Sequence, residues 1–171
     1  MPFNIELKAR CSDPAAIERI LIEQNADAIG TDHQIDTYFK VSTGRLKLRE
    51  GNIENALIHY ERENTSGPKK ANFTLYKSDP HSFLKNILET ALGVLAVVDK
   101  QRKIFFIGNV KFHVDEVRGL GCFIEIEAID KTGELGDQKL TEQCTHYKDL
   151  LGIQNADLIS LSYSDMVLAK T

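Results

Sequence analysis

Residues 3–10, FNIELKAR, alternate without a break between apolar and polar side chains. Phe3, Ile5, Leu7 and Ala9 fall on one face of a strand, and Asn4, Glu6, Lys8 and Arg10 on the other. The same beat returns along the chain. In RLKLRE, Arg45, Lys47 and Arg49 oppose Leu46 and Leu48; in ALIHYERE, Ile58, Tyr60 and Arg62 lie together. DKQRKIFFIG places Lys100 and Arg102 on one face, continuing into Ile104 and Phe106. In CFIEIEAI, Glu125 and Glu127 stand opposite Cys122, Ile124, Ile126 and Ala128. Segments with this period can bury one face only as strands.

The charged faces also sort by sign. A solvated sheet mixes signs within each strand, whereas here three strands are cationic and one carries two carboxylates. That division suits a polyphosphate with a divalent metal. Lys and Arg neutralise phosphate oxygens, Arg in a bidentate fork, and carboxylates hold a hard cation such as Mg²⁺ that also touches the phosphates. The whole chain is acidic, with a net charge of −4. It therefore lacks the cationic excess of a general nucleic-acid or anionic-membrane binder, and an anion site must be a local gathering of cations turned inward.

Between these strands the chain reads as α+β. Asp13-Pro14 resembles a cap with proline at the first helical position, and Ile17, Ile20, Leu21 and Gln24 carry a helical stripe toward Gly30. Strands are expected at 34–41, 45–50, 56–63, 71–76, 97–107, 111–117 and 122–129. Asp79-Pro80 is a second cap signal, leading a helix through Phe83, Leu84, Ile87, Leu88, Ala91 and Leu92. A third helix is expected over about 137–151. The regular strand–helix alternation of a doubly wound sheet is missing, so one domain over 1–171 built on a large antiparallel sheet or barrel is expected. The three cysteines, Cys11, Cys122 and Cys144, have no metal-ligand spacing and read as packing thiols in a reducing compartment. The longest apolar run, residues 91–98, is far too short to span a membrane, no leader pattern precedes β-type sequence at the start, and a cytoplasmic protein is expected.

These residues carry a resemblance to the CYTH superfamily, and within it most to the class IV adenylate cyclases. Its hallmark ExExK is similar to NIELK, with Glu6 and Lys8 in the second and third places and Asn4 in the first. LKLR supplies Lys47 and Arg49, YERE supplies Arg62, and DKQRKIFFIG supplies Lys100 and Arg102. FHVDEVRGLGCFIEIE resembles the family's most specific stretch through Asp115, Gly119, Gly121, Glu125 and Glu127, and SYSDMVL resembles its usual end. The resemblance implies a closed antiparallel barrel with flanking helices, open at both ends, that binds a triphosphate with Mg²⁺ or Mn²⁺. It places Lys8, Lys47, Arg49, Arg62, Lys100 and Arg102 on the triphosphate, Glu6, Glu125 and Glu127 on the metal with Asn4 as a weak ligand, and Lys100, Arg102 and Asp115 at the chemistry.

Three activities stay open on this reading. A cyclase uses the ribose 3′-hydroxyl of ATP on the α-phosphate and releases pyrophosphate. An inorganic tripolyphosphatase or thiamine triphosphatase uses water on the terminal phosphate. A binding sensor with little turnover is the third, motivated by the uncharged Asn4. A homodimer is left open, and neither nucleic acid nor membrane is an expected partner. Plainer roles also stand: Glu125 and Glu127 in cross-strand ion pairs, Asp115 as a turn residue before Gly119, and Tyr60 in packing. None of the five histidines has ligand spacing. Neutralising any one tunnel cation is expected to weaken anion binding and to leave stability unchanged or higher, because like charges are crowded together.

Overall fold

In the computed structural model, which describes residues 2–171, the chain closes eight antiparallel strands into a barrel. The strands are β1 (Phe3–Arg10), β2 (Asp27–Phe39), β3 (Arg45–Glu50), β4 (Ala56–Arg62), β5 (Lys69–Lys77), β6 (Val94–Ile107), β7 (Val110–Val117) and β8 (Gly121–Asp130). Helices α1 (Pro14–Glu23), α2 (Leu84–Leu92), α3 (Gly136–Leu150) and α4 (Tyr163–Ala169) are set around them. The order around the barrel is β1-β5-β4-β3-β2-β6-β7-β8. The first strand thus pairs with both β5 and β8, which closes the sheet on itself. The expected barrel with flanking helices is what forms.

Alternation decides which side chains face the helices. Ile5, Leu7 and Ala9 of β1, Phe112 and Val114 of β7, and Ile124 and Ile126 of β8 all point outward. They are buried with Ile17 and Leu21 of α1 and Leu140 and Cys144 of α3. Each large aliphatic side chain withdrawn from water contributes about 1.5–3 kcal/mol, so this outer layer holds the two helices to the barrel. Cys144 is one of its packing residues, with its thiol donating to the carbonyl of Ile5. The polar faces of the same strands are thereby turned into the lumen.

One end of that lumen differs from an open tunnel. Tyr38, Ala96, Val98, Val117 and Phe123 form an apolar layer that packs with Tyr163 and Met166 of α4. An apolar layer inside a barrel needs a cover, and α4 supplies it. The helix is fixed by a capping box in which Ser162 Oγ accepts from the Asp165 amide and the Asp165 carboxylate accepts from the Ser162 amide, both at 3.1 Å.

Three boundaries depart from the sequence reading. Helix α1 stops at Glu23 instead of running toward Gly30, because Asn25 adopts a left-handed conformation (φ 56°) and turns the chain. β2 begins at Asp27, and its exposed first residues pair with Lys103–Phe106 of β6. Asp79 does not cap a helix: its carboxylate accepts from the His81 amide within a turn, and α2 starts only at Leu84.

Candidate active site

Inside the barrel lies a cavity of about 580 Å³, within the range of small-molecule sites. Strand β1 supplies Asn4, Glu6 and Lys8; β3 supplies Lys47 and Arg49; β4 supplies Arg62; β6 supplies Lys100 and Arg102; and β8 supplies Glu125 and Glu127. The structure brings all of these predicted side chains to one wall-to-wall site. Arg45, on the same face of β3, lies beyond it at the α4 end, where it binds Asp165 at 2.9 Å.

Two buried carboxylates organise the cations. Asp36 of β2 accepts from Arg49 Nε at 2.9 Å and Nη2 at 2.8 Å, and from Lys100 Nζ at 2.8 Å, with Lys47 Nζ at 3.4 Å. Asp115 of β7 receives Arg102 through two 2.7 Å bonds and the Tyr163 hydroxyl at 2.7 Å. Asp115 therefore sits behind the guanidinium of Arg102 and not on the cavity wall. Burial lowers the Lys100 ammonium, and although Asp36 opposes this, Arg49 and Arg102 add to it and leave the group at about 7. Burial likewise brings Lys8 to about 8; its ammonium stacks 3.7 Å from the Tyr163 ring centre. The expectation that neutralising any cation spares stability is corrected by this geometry. Arg49 and Arg102 are each locked to a buried carboxylate, and removal strands a charge.

The acidic side is set by the β1–β8 register, which puts Glu6 directly opposite Glu127 and Lys8 opposite Glu125. Glu6 is held by Arg62 at 2.8 Å, and the Asn4 amide donates to Glu127. Burial raises the Glu127 carboxyl to about 7, with Glu6 and Glu125 adding to the rise against Lys111. Against the same burial, Lys8 and Arg102 hold Glu125 well below the usual carboxylate range. As the side chains stand, no three His, Cys, Asp or Glu among the described residues converge on one point. The donor chemistry nevertheless fits a hard divalent cation. All the groups are oxygens, the like charges of Glu6 and Glu127 face each other, and the buried Asn4 Oδ1 has no hydrogen-bond partner among the described residues. Arg62 Nε and Nη2 are also buried without partners among the described residues, a ready pair of anion donors.

The β3–β4 loop closes over the other side. Both oxygens of the buried Asp32 accept from it, from the Ile53 amide at 2.8 Å and the Glu54 amide at 2.9 Å. Gly51 passes so close that a Cβ there would lie 2.6 Å from Asp32 Oδ1 and 2.7 Å from the Glu54 carbonyl. Gly51→Ala is therefore expected to destabilise the fold by about 1–3 kcal/mol, read as a lowered denaturation midpoint. An unchanged midpoint would show that the loop is not held by Asp32.

The model of the CYTH domain matches residues 2–163. This chain belongs to the CYTH family. Its fold is that of the CYTH triphosphate tunnel. A Pyrococcus horikoshii protein, PH1012, superposes on this CYTH chain with a TM-score of 0.76 at 24% identity, covering 96% of this chain and 99% of that one. An adenylate cyclase candidate from Vibrio parahaemolyticus gives 0.71 at 18% identity, covering 98% of both chains. A Hippeastrum adenylyl cyclase candidate, whose structure is described as revealing a dominant triphosphatase activity, gives 0.65 at 13%, covering 100% of this chain and 97% of that one. No curated protein matches the chain. Among the described residues no helix is long and apolar enough to cross a membrane.

Several side chains of this CYTH cavity escaped the sequence reading. Lys111 and His113 share the inward parity of Asp115 on β7, a signal present in the expected 111–117 strand. Asp36 and Tyr38 share it on β2. Glu54 sits in a loop, where no periodicity could point to it. Burial and the neighbouring Arg102 keep His113 neutral, at about 3, and its Nδ1 lies 3.4 Å from Glu125.

Proposed function

We propose that the protein is a metal-dependent enzyme of nucleoside triphosphates, a class IV-type adenylate cyclase converting ATP to cyclic AMP and pyrophosphate. One observation carries the nucleoside: the cation-rich cavity has an apolar flank of Ile53, Ile58, Phe73, Leu75 and Pro80, with Ile53 and Leu75 exposed at its mouth. Inorganic tripolyphosphate offers nothing to such a wall, whereas a purine ring does. Lys8, Lys47, Arg49, Arg62 and Arg102 bind the phosphates and stabilise the charge that develops as the phosphoryl group transfers. The 3′-oxygen attacks the α-phosphorus, the bond to the bridging oxygen breaks, and pyrophosphate leaves. Lys100, held near neutrality in pKa, takes the hydroxyl proton. Asp115 acts through Arg102, as the group that fixes its guanidinium. A divalent cation such as Mg²⁺ or Mn²⁺, held by Glu6, Glu125 and Glu127 after Glu6 releases Arg62, would supply Lewis-acid charge to the phosphates.

Product analysis with ATP, 3′-deoxy ATP, thiamine triphosphate and tripolyphosphate tests this reading, each substrate with Mg²⁺ and with Mn²⁺. Cyclic AMP and pyrophosphate from ATP, with no product from 3′-deoxy ATP, are expected. Phosphate from tripolyphosphate or thiamine triphosphate and no cyclic AMP would transfer the protein to the triphosphatase reading, which the activity of the Hippeastrum neighbour favours. Thermal stabilisation by ATP without turnover would leave the sensor reading.

Position 4 gives a second test. Asn4→Glu removes the amide that satisfies Glu127 and adds a carboxylate beside Glu6. The metal concentration for half-maximal rate is expected to fall about tenfold or more, through one more charged oxygen ligand, while the metal-free protein loses stability. An unchanged metal dependence would show that position 4 does not reach the ion.

A further inference from the structure

We infer that Glu54 is a specificity determinant that ends the anion track of the cavity, so that a chain of three phosphates is accommodated and a fourth is refused. The inference rests on the triphosphate reading above and concerns the length of the ligand. Glu54 brings a negative charge into the cation set: Oε2 lies 2.6 Å from Lys111 Nζ, and Oε1 lies 3.3 Å from Arg49 Nη1 and accepts from Gln34 Nε2 at 3.0 Å. Among the described residues Glu54 is the only carboxylate in ion-pair reach of Lys111. Lys111 is therefore already answered by a resident anion, whereas Arg62 keeps two buried donors unanswered among the described residues.

This carboxylate is built in place and does not hang from a free loop. Its own amide and that of Ile53 are bound by Asp32, which also accepts from Gln34 at 2.8 Å. Asn55 clasps Gly51 in both directions, donating to its carbonyl and accepting from its amide. A single buried carboxylate, a glycine with no room for a Cβ and a buried glutamine thus converge on holding one side chain at one end of the site. A further phosphate that advanced past Arg49 to Lys111 would meet Glu54 within a few ångströms, and like charges at that range in a partly dry site weaken binding by about tenfold or more.

Calorimetric titration of the parent and Glu54→Gln with tripolyphosphate and tetrapolyphosphate tests this. The parent is expected to bind the longer chain no more tightly than the shorter. In Glu54→Gln the ratio should move by about tenfold toward tetrapolyphosphate, and Glu54→Gln/Lys111→Ala should lose that gain. An equal change for both ligands, in either direction, would overturn the inference and make Glu54 a general charge or a loop brace. An unchanged ratio overturns it as well. A parent that binds neither ligand would overturn the triphosphate reading itself, and the inference with it.

Discussion

Arg102→Ala should cost about 3–5 kcal/mol of folding stability, as well as anion binding. The guanidinium is buried, and both oxygens of the buried Asp115 lie 2.7 Å from it. Truncation leaves that carboxylate with the Tyr163 hydroxyl alone and Glu125 without one of its cations. Denaturant titration of parent and variant measures the loss. Arg102→Met/Asp115→Leu should recover much of it, because a buried pair replaced by apolar groups of similar volume is often neutral, yet it should not recover binding. That split separates the two roles of the residue. A single variant as stable as the parent would show that the clamp does not form in solution.

Glu127→Gln should behave in the opposite way. The residue faces Glu6 across the β1–β8 ladder, and like charges directly opposite each other destabilise a sheet. Amidation keeps the shape and removes the repulsion, so the metal-free protein should hold or gain stability. Metal-dependent turnover of ATP should fall by at least about a hundredfold, since the Lewis-acid contribution is several kcal/mol and each 1.4 kcal/mol is tenfold. Turnover within a factor of two of the parent, at limiting metal, would remove Glu127 from the proposed ligand set.

The comparison of these two residues shows what a sequence of this kind reveals. Glu127 was legible because Glu125, Ile126 and Ala128 around it alternate, and a strand with that period has only one way to place its carboxylates. Arg102 was legible in position for the same reason. Its energetic role was not, because Asp115 belongs to another strand and only the β6–β7 register brings the two face to face. Asp36 was missed on similar grounds: a lone acid in QIDTYF carries no pattern, and its meaning comes from Arg49 and Lys100 on two neighbouring strands. The first residues of β2 were lost because DAIGT is exposed and lacks an apolar period, so cross-strand hydrogen bonds with β6 define that segment without any burial signal.

The seam between β1 and β8 also bears on how the molecule assembles. Phe3 is in register with Asp130, across most of the chain, while β1 also needs β5 on its other side. During synthesis the first strand emerges long before the last one exists, and its apolar edge must wait. Contacts so distant in sequence close late, after most of the loop entropy has been spent, and they slow folding. Until β8 arrives, residues 3–10 present an open edge along their β8 side with a greasy face, the kind of edge that neighbouring nascent chains can capture. Circular permutants that join the termini and open the chain between β5 and α2 would leave only the segment carrying α3 and α4 between β8 and β1, shortening the slowest closure.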